Sequence, residues 1–291
     1  MNEIVVRTLG SGSKGNMAFV RCGGTVVLID IGLSSQRMIR DRLIEAGVDP
    51  SEITAALVSH CHGDHLGFSG LRFCMDNGIP VLGQVETLNR ATEIFVKNLG
   101  RMPDFGVLQL MNPGQRIVVG DLDVTSFSVP HDVPTMGFVL RTVGNAFPKV
   151  TVATDIGETH DDLVGHFLDA DAIFIEANYN EKMLKHSPRG VRDRARVHST
   201  VGHLGNVEAG RFVGRVFRLS ARKPSFVTLM HLSEDHNSPQ QAMLDFHSSA
   251  GPDLCGIRLY TAPRNELGPE VRVCLEGNAG GAPTSRQGCL F

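Results

Sequence analysis

Seven consecutive residues limit what this chain can fold into more than any other feature: Ser59-His60-Cys61-His62-Gly63-Asp64-His65, at the end of an apolar run that reads as a strand from Ile53 to Ser59. In an extended segment, residues two apart point the same way, so His60 and His62 can grip one cation together. Gly63 permits a sharp turn, after which Asp64 and His65 can address a second cation. Cys61 should face the other side, as a small buried thiol. Four such side chains side by side would repel one another or lie idle without metal. Neither pair completes a coordination sphere, so the fold must bring further ligands to this turn.

The candidates recur at one kind of position. His131 follows a strand predicted from Asp123 to Val129, Asp155 follows one from Lys149 to Thr154, and His231 follows one from Phe226 to Met230. Each is a polar residue where an apolar strand ends, and there a loop can present it to a common cleft. Taken singly, His131 or His231 reads as a solvated turn residue; beside the 60–65 cluster each is a candidate ligand. A carboxylate such as Asp155 can bridge two cations, which histidine cannot. Asp30, ending the strand Thr25 to Ile29, reads as a partner that orients the 60–65 loop. The donors are nitrogen and oxygen, which suits two divalent metal ions, zinc or manganese. Such a pair acidifies a bridging water and takes up charge at an attacked carbonyl or phosphorus. Asp64 would orient that water.

The surrounding pattern predicts sheets with helices outside them. Strands Ile4 to Leu9, Ala18 to Arg21 and Thr25 to Ile29 form a meander through a Gly23-Gly24 turn. A helix spans Ser35 to Ala46 and stops at Gly47. Helices follow over Leu66 to Asp76 and Glu86 to Lys97, with a short strand near Val81 between them. Strands resume at Ile117, including Asp123 to Val129, Gly137 to Thr142 and Lys149 to Ala153, and helices then alternate with strands to about residue 275. One hydrolase domain over residues 1–276 is expected. Residues 277–291, rich in Gly, Ala, Pro and Ser, read as a disordered tail.

Composition excludes several classes. With 42% hydrophobic and 20% charged residues the chain can bury an ordinary core, so no disulfide or structural metal is required. Its six cysteines form no C-x-x-C pair, which argues against a disulfide framework or a thiolate zinc site. The start lacks the pattern of a secretory signal, and no apolar run approaches the roughly 20 residues that span a bilayer. A cytoplasmic protein without a membrane partner is expected; the oligomeric state is left open.

One segment departs from the mean. Between Glu181 and Lys223 lie eleven basic residues against three acidic ones, in a chain of net charge -3. Such an excess attracts polyanions. Arg189, Arg192 and Arg196, interrupted by Pro188 and Gly190, are read as phosphate contacts. Arg211, Arg215, Arg218 and Arg222 fall at helical spacing and serve equally well as one solvated face. His203 is placed to contact a phosphate or assist a leaving group. With no Trp and two Tyr, base stacking has little to draw on, so backbone recognition is expected. Gly10, Gly12 and Gly15 match the dinucleotide pattern, but a strand rather than a helix follows. They read instead as a tight turn near the cleft, with Ser11, Ser13 or Asn16 facing substrate.

These residues together resemble the metallo-β-lactamase superfamily, and within it the YycJ/WalJ-type hydrolases. The resemblance is carried by Gly10 to Asn16, Leu28 to Gly32, the H-x-H-x-D-H cluster, Pro130-His131-Asp132, Ala153 to Gly157, Ile175 to Asn178, Gly202 to Asn206 and His231-Leu232-Ser233. It implies a four-layer αββα sandwich with the metals at one edge. It also implies one ion on His60, His62 and His131, a second on Asp64, His65 and His231, and Asp155 between them. Two positions depart from the family: Tyr179 is followed by Asn180 rather than an acid, and Gly205 stands where serine is usual.

The resemblance and the basic segment together point to a phosphodiesterase acting on nucleic acid, DNA before RNA, as a 5′-to-3′ exonuclease. The alternative enzyme is a hydrolase of a small ester, thioester or cyclic phosphodiester on the same metals. A catalytically silent binding protein is the third reading, and the complete ligand set argues against it.

Overall fold

The computed structural model describes residues 3–100, 106–252, 254 and 256–274. The expected tail, and with it Cys289, lies outside the described residues, as does Cys255. Two seven-stranded sheets form the framework. The first contains β1 (Glu3–Gly10), β2 (Met17–Cys22), β3 (Thr25–Ile29), β4 (Ile53–Leu57), β5 (Val81–Gly83) and β6 (Leu108–Leu110) in spatial order. The second runs from β7 (Arg116–Val119) through β8 (Leu122–Val129), β9 (Thr135–Thr142), β10 (Lys149–Ala153), β11 (Ala172–Glu176) and β12 (Phe226–Met230) to β13 (Arg258–Thr261). A last strand, β14 (Val271–Cys274), returns to the first sheet beside β1.

Each sheet begins as antiparallel hairpins and continues as parallel strands. The hairpins fit tight turns: Gly23, at φ 55°, closes the two-residue loop between Cys22 and Thr25. The parallel strands need crossovers, which the helices supply. In the first half these are α1 (Gln36–Glu45), α2 (Phe68–Asp76) and α3 (Val85–Leu99). In the second they are α4 (Asp161–Phe167), α5 (Glu181–Lys185), α6 (Val191–Val197), α7 (Asn206–Leu219) and α8 (Pro239–Ala250). The α1 helix starts where the Ser35 side chain accepts the Met38 amide, and it buries Ile39 and Leu43, one turn apart.

Strand periodicity sorts the apolar residues into layers. Along β1, Ile4 and Val6 enter the core between the sheets, while Val5 and Leu9 face the outer layer with α1 to α3. The inner core joins Val20, Ile29 and Leu57 of the first sheet to Phe138, Val152 and Phe174 of the second. Outside the second sheet, Ile173 and Val227 pack with Phe212 and Val216 of α7 and Phe246 of α8. This is the four-layer αββα sandwich expected from the sequence. The short strands β6 and β14 were not anticipated individually. Among the described residues, no helix is long and apolar enough to cross a membrane.

At the end of β10 remote from Asp155, Lys149 is buried beside Arg141 and donates to the Leu168 carbonyl. Burial and the Arg141 charge push its ammonium down to about 8, against the pull of Asp169 and Asp171. The unfolded chain keeps that proton up to about pH 10.4. Below pH 8 both states are protonated and the penalty is fully present. Between pH 8 and 10.4 the unfolded state binds more protons, so stability from this group rises with pH. Urea unfolding in chelator at pH 7.5 and 9.5 is expected to show wild type gaining about 2 kcal/mol relative to Lys149→Met across that interval. An equal pH response in both proteins would refute this assignment.

Candidate metal centre

The ends of strands from both sheets converge on one edge of the sandwich. There β4 runs out into Ser59 and the 60–65 turn, β8 into His131, β10 into Asp155, β11 into Glu176 and β12 into His231. Asp30, Asp155 and His231 each take a left-handed backbone, at φ 60°, 57° and 56°. These are unusual values for residues other than glycine, and they turn the chain sharply enough to aim a side chain across the strand ends. The 60–65 turn lies against the chain just past β3: a Cβ on Gly32 would come 1.7 Å from the Asp64 carbonyl oxygen. Only glycine lets the two backbones approach so closely.

Two ligand groups form. Donor atoms of His60, His62 and His131 lie within 4.8 Å of one another, and so do those of Asp64, His65 and His231. Asp155 reaches both: its Oδ1 lies 3.8 Å from His131 Nε2 and its Oδ2 3.1 Å from His65 Nε2. His60, His65, Asp155 and His231 are buried, whereas His62 and Asp64 line an open side.

Partners behind the rings select the inward-facing nitrogen. His65 Nδ1 donates to Asp30 Oδ2 at 2.7 Å, and His131 Nδ1 donates to the Gly202 carbonyl at 3.0 Å. His60 Nδ1 donates to Ser59 Oγ, which passes its own proton to Asp30 Oδ1. His231 Nδ1 donates to Glu176 Oε1 at 2.8 Å, and His203 Nδ1 donates to the same oxygen at 2.9 Å. In these five rings Nδ1 is committed to the partner behind and Nε2 faces the interior of the site, where an arriving cation can take the place of any proton. His62 is reversed. Its Nδ1 lies 3.4 Å from His131 Nε2, while its Nε2 points outward to Asp132 Oδ1 at 3.3 Å.

The site suits cations. His60 Nε2 and Asp155 Oδ2 are buried and make no hydrogen bond, although Asp155 Oδ2 comes close to His65. Buried polar atoms left this way are destabilising unless something binds them. Burial, and then the nearby His65 charge, hold His60 well below the ordinary histidine range, which keeps its lone pair free. Burial opposes the charge of Asp155, but His231 and His65 outweigh it and keep the carboxyl well below the usual range. Burial would likewise lower His231, yet the Asp155 charge and the bonds to Asp64 and Glu176 push it up to about 10. His65 is raised in the same manner by Asp155 and Asp30 against its burial. Without metal, protons thus gather where the carboxylates call for positive charge. The nitrogen and oxygen donors and the orphaned atoms fit divalent ions.

Several sequence expectations need correction. Ser11 does not face the open cleft, and Asn16 reaches the ligands only from beneath. Ser11 is buried with its Oγ accepting the His231 amide at 2.9 Å, and Asn16 is buried with Nδ2 3.0 Å from His65 Nε2. The turn has folded beneath the ligands, and its exposed tip is Ser13-Lys14. Cys61 is only half-buried. Arg189 is exposed and pairs with Asp235.

The basic segment does not form one patch. Arg211 and Arg215 on α7 pair with Glu208 and Asp161, and Arg222 pairs with Asp171 beyond that helix. Arg192 and Arg196 are exposed one turn apart on α6, and Arg196 Nη1 reaches Asp132 Oδ2 at 3.6 Å, beside His62. His203 sits inside the site, its ring centroid 5.5 Å from that of His131 and 5.3 Å from that of His231.

Glu176 was missed as a site residue. It is wholly buried, and besides the two histidines its Oε2 accepts the Ile156 and Leu204 amides at 2.7 and 3.0 Å. The signal was available: like Asp155, it is an acid that follows an apolar strand. The two departures from the family pattern are local. Asn180 caps α5 by accepting the Met183 amide, and a Cβ on Gly205 would lie 3.1 Å from the Tyr179 ring.

Residues 25–232 match the family model for the beta-lactamase superfamily domain. The chain is 28% identical over 234 residues to exodeoxyribonuclease WalJ of Streptococcus pneumoniae, covering 80% of this chain and 83% of that protein. It is 28% identical over 236 residues to exodeoxyribonuclease YycJ of Bacillus anthracis, covering 81% and 85%. Among solved structures, the metallo-beta-lactamase fold protein YhfI of Bacillus subtilis superposes with a TM-score of 0.66 at 15% identity, covering 93% of this chain and all of that one.

Proposed function

The chain belongs to the beta-lactamase superfamily, and from that footing we propose that it is a metal-dependent phosphodiesterase that shortens DNA from the 5′ end. One observation carries the reading: two groups of converging donors lie on either side of Asp155, and α6 meets their open side through the exposed Arg196, which reaches Asp132 beside His62. WalJ and YycJ, among the relatives that match four-fifths of the chain, are named exodeoxyribonucleases.

His60, His62 and His131 would hold one divalent ion, Asp64, His65 and His231 the other, with Asp155 between them; zinc and manganese both suit these donors. Bound there, the pair supplies Lewis acidity toward the phosphate oxygens and a hydroxide nucleophile near neutral pH. The protein contributes position and charge. Asp64, with its side chain 24% exposed, orients the attacking water from the open side. Glu176 fixes the His203 ring through Nδ1, which leaves Nε2 to meet the oxygen of the departing nucleotide. Arg192 and Arg196 bind backbone phosphates, which accounts for recognition without base stacking.

The test is digestion of 5′- and 3′-labelled DNA and RNA with manganese or zinc, with Asp155→Ala as control. Stepwise loss from the 5′ end of DNA, absent in the control, is expected. Turnover of a small ester or cyclic phosphodiester with both polymers intact would overturn the nuclease reading while leaving the metal centre in place.

A further inference from the structure

His62 is the one ring of the cluster whose outward nitrogen faces a carboxylate at the mouth of the site. Asp132, the residue after His131, supplies that contact: its Oδ1 lies 3.3 Å from His62 Nε2. The same oxygen lies 3.1 Å from His131 Nε2, but the His131 proton is committed on the other side, to the Gly202 carbonyl. The hydrogen available to Asp132 Oδ1 is therefore the one on His62 Nε2. When Asp132 accepts it, His62 Nδ1 is left deprotonated and aimed inward, 3.4 Å from His131 Nε2.

The other oxygen of Asp132 faces Arg196 Nη1 at 3.6 Å. These side chains are 31% and 53% exposed, so the pair is solvated and easily exchanged. A guanidinium on one carboxylate oxygen withdraws charge from the other and weakens its hold on His62.

We propose that Asp132 is a positioning residue that couples the basic helix α6 to the metal centre: it holds His62 as a ligand, and Arg196 competes for the same carboxylate until a backbone phosphate draws Arg196 away. Polyanion binding then strengthens His62, and by reciprocity an ion on His62 releases Arg196 toward the polyanion. The polyanion half rests on the nucleic-acid reading given above; the link from Arg196 through Asp132 to the metal does not.

The experiment is titration calorimetry of the full chain with Zn2+, repeated with a phosphorothioate single strand that resists cleavage. Asp132→Asn is expected to weaken one of the two ions about tenfold, within the range seen when the partner of a metal-bound histidine is removed. Arg196→Ala is expected to bind that ion two- to threefold more tightly than wild type, by roughly the size of an exposed ion pair. The double variant should behave as Asp132→Asn alone, because Arg196 acts through Asp132. The oligonucleotide should raise zinc affinity in wild type and leave that of Arg196→Ala unchanged.

Asp132→Glu keeps the carboxylate and should recover part of the affinity, and the visible spectrum of the Co2+-loaded protein should shift in Asp132→Asn but not in Arg196→Ala. Wild-type zinc affinity in Asp132→Asn would overturn the positioning role. Should that variant not fold, by circular dichroism, Asp132→Glu and Arg196→Ala decide: an unchanged zinc affinity in Arg196→Ala overturns the coupling. If no oligonucleotide binds, the nucleic-acid reading fails, and the Arg196→Ala titration in zinc alone still judges the link.

Discussion

Asp155→Ala is expected to bind no more than one divalent ion, and that one weakly, and to lose phosphodiesterase activity by more than about a thousandfold, the several kcal/mol that metals supply to such a reaction. The size follows from its position. Among the described residues Asp155 is the one carboxylate with an oxygen near each ligand group, 3.8 Å from His131 Nε2 and 3.1 Å from His65 Nε2, and its charge helps hold His65 and His231 cationic in the metal-free chain. Removing it leaves both ions short of a ligand and without the shared negative charge. Metal content by mass spectrometry and single-turnover cleavage read the two effects separately. Two tightly bound ions in Asp155→Ala would show that the centre does not depend on a shared carboxylate.

The second large effect is on stability. Glu176 is buried and accepts four hydrogen bonds, from His203 and His231 on one oxygen and from the Ile156 and Leu204 amides on the other. Burial works against its charge, and its contacts with His203 and His231 outweigh that and keep the carboxyl below the ordinary range. Glu176→Ala strands four donors, and a loss of about 3–5 kcal/mol is expected, as for a broken buried charge pair. Glu176→Gln is no rescue. Whichever way its amide turns, an NH2 group meets either two imidazole N–H groups or two backbone N–H groups. A loss of about 2–3 kcal/mol is therefore expected even for this near-isosteric change. Urea unfolding in chelator measures both variants without the contribution of bound metal. Glu176→Gln within about 0.5 kcal/mol of wild type, the range of an ordinary surface change, would mean that the carboxylate charge is not what organises this end of β11.

Much of the site could be read before the fold was known, because metal chemistry constrains local sequence. His60, His62, Asp64 and His65 sit within one turn, and His131, Asp155 and His231 each follow an apolar strand. Helices outside the sheets were legible too, from meanders followed by alternating helices and strands, whereas the burial of both faces of β1 is seen only in the structure.

What the chain order conceals is which groups stand behind the ligands. Glu176 serves His203 and His231, 27 and 55 residues away, and Ser11 meets His231 across 220 residues. Nothing in the local pattern of an acid at a strand end distinguishes a metal ligand from a residue that orients two histidines. The basic segment shows the same limit in charge. Eleven basic residues close in sequence are divided by the helices, so that Arg215 and Arg222 find acids from other elements while Arg192 and Arg196 stay exposed on α6, Arg196 beside the metal centre.

By itself, then, the sequence determined sheets with helices outside them and the residue types that can hold metal, because periodicity and short-range spacing are properties of the chain; the four-layer sandwich was implied by the family resemblance. The tertiary structure alone decided which nitrogen of each ring faces inward, that Ser11 and Asn16 lie beneath the ligands, and which arginines remain open to an anion. Those depend on partners brought together only when the strand ends of two sheets meet.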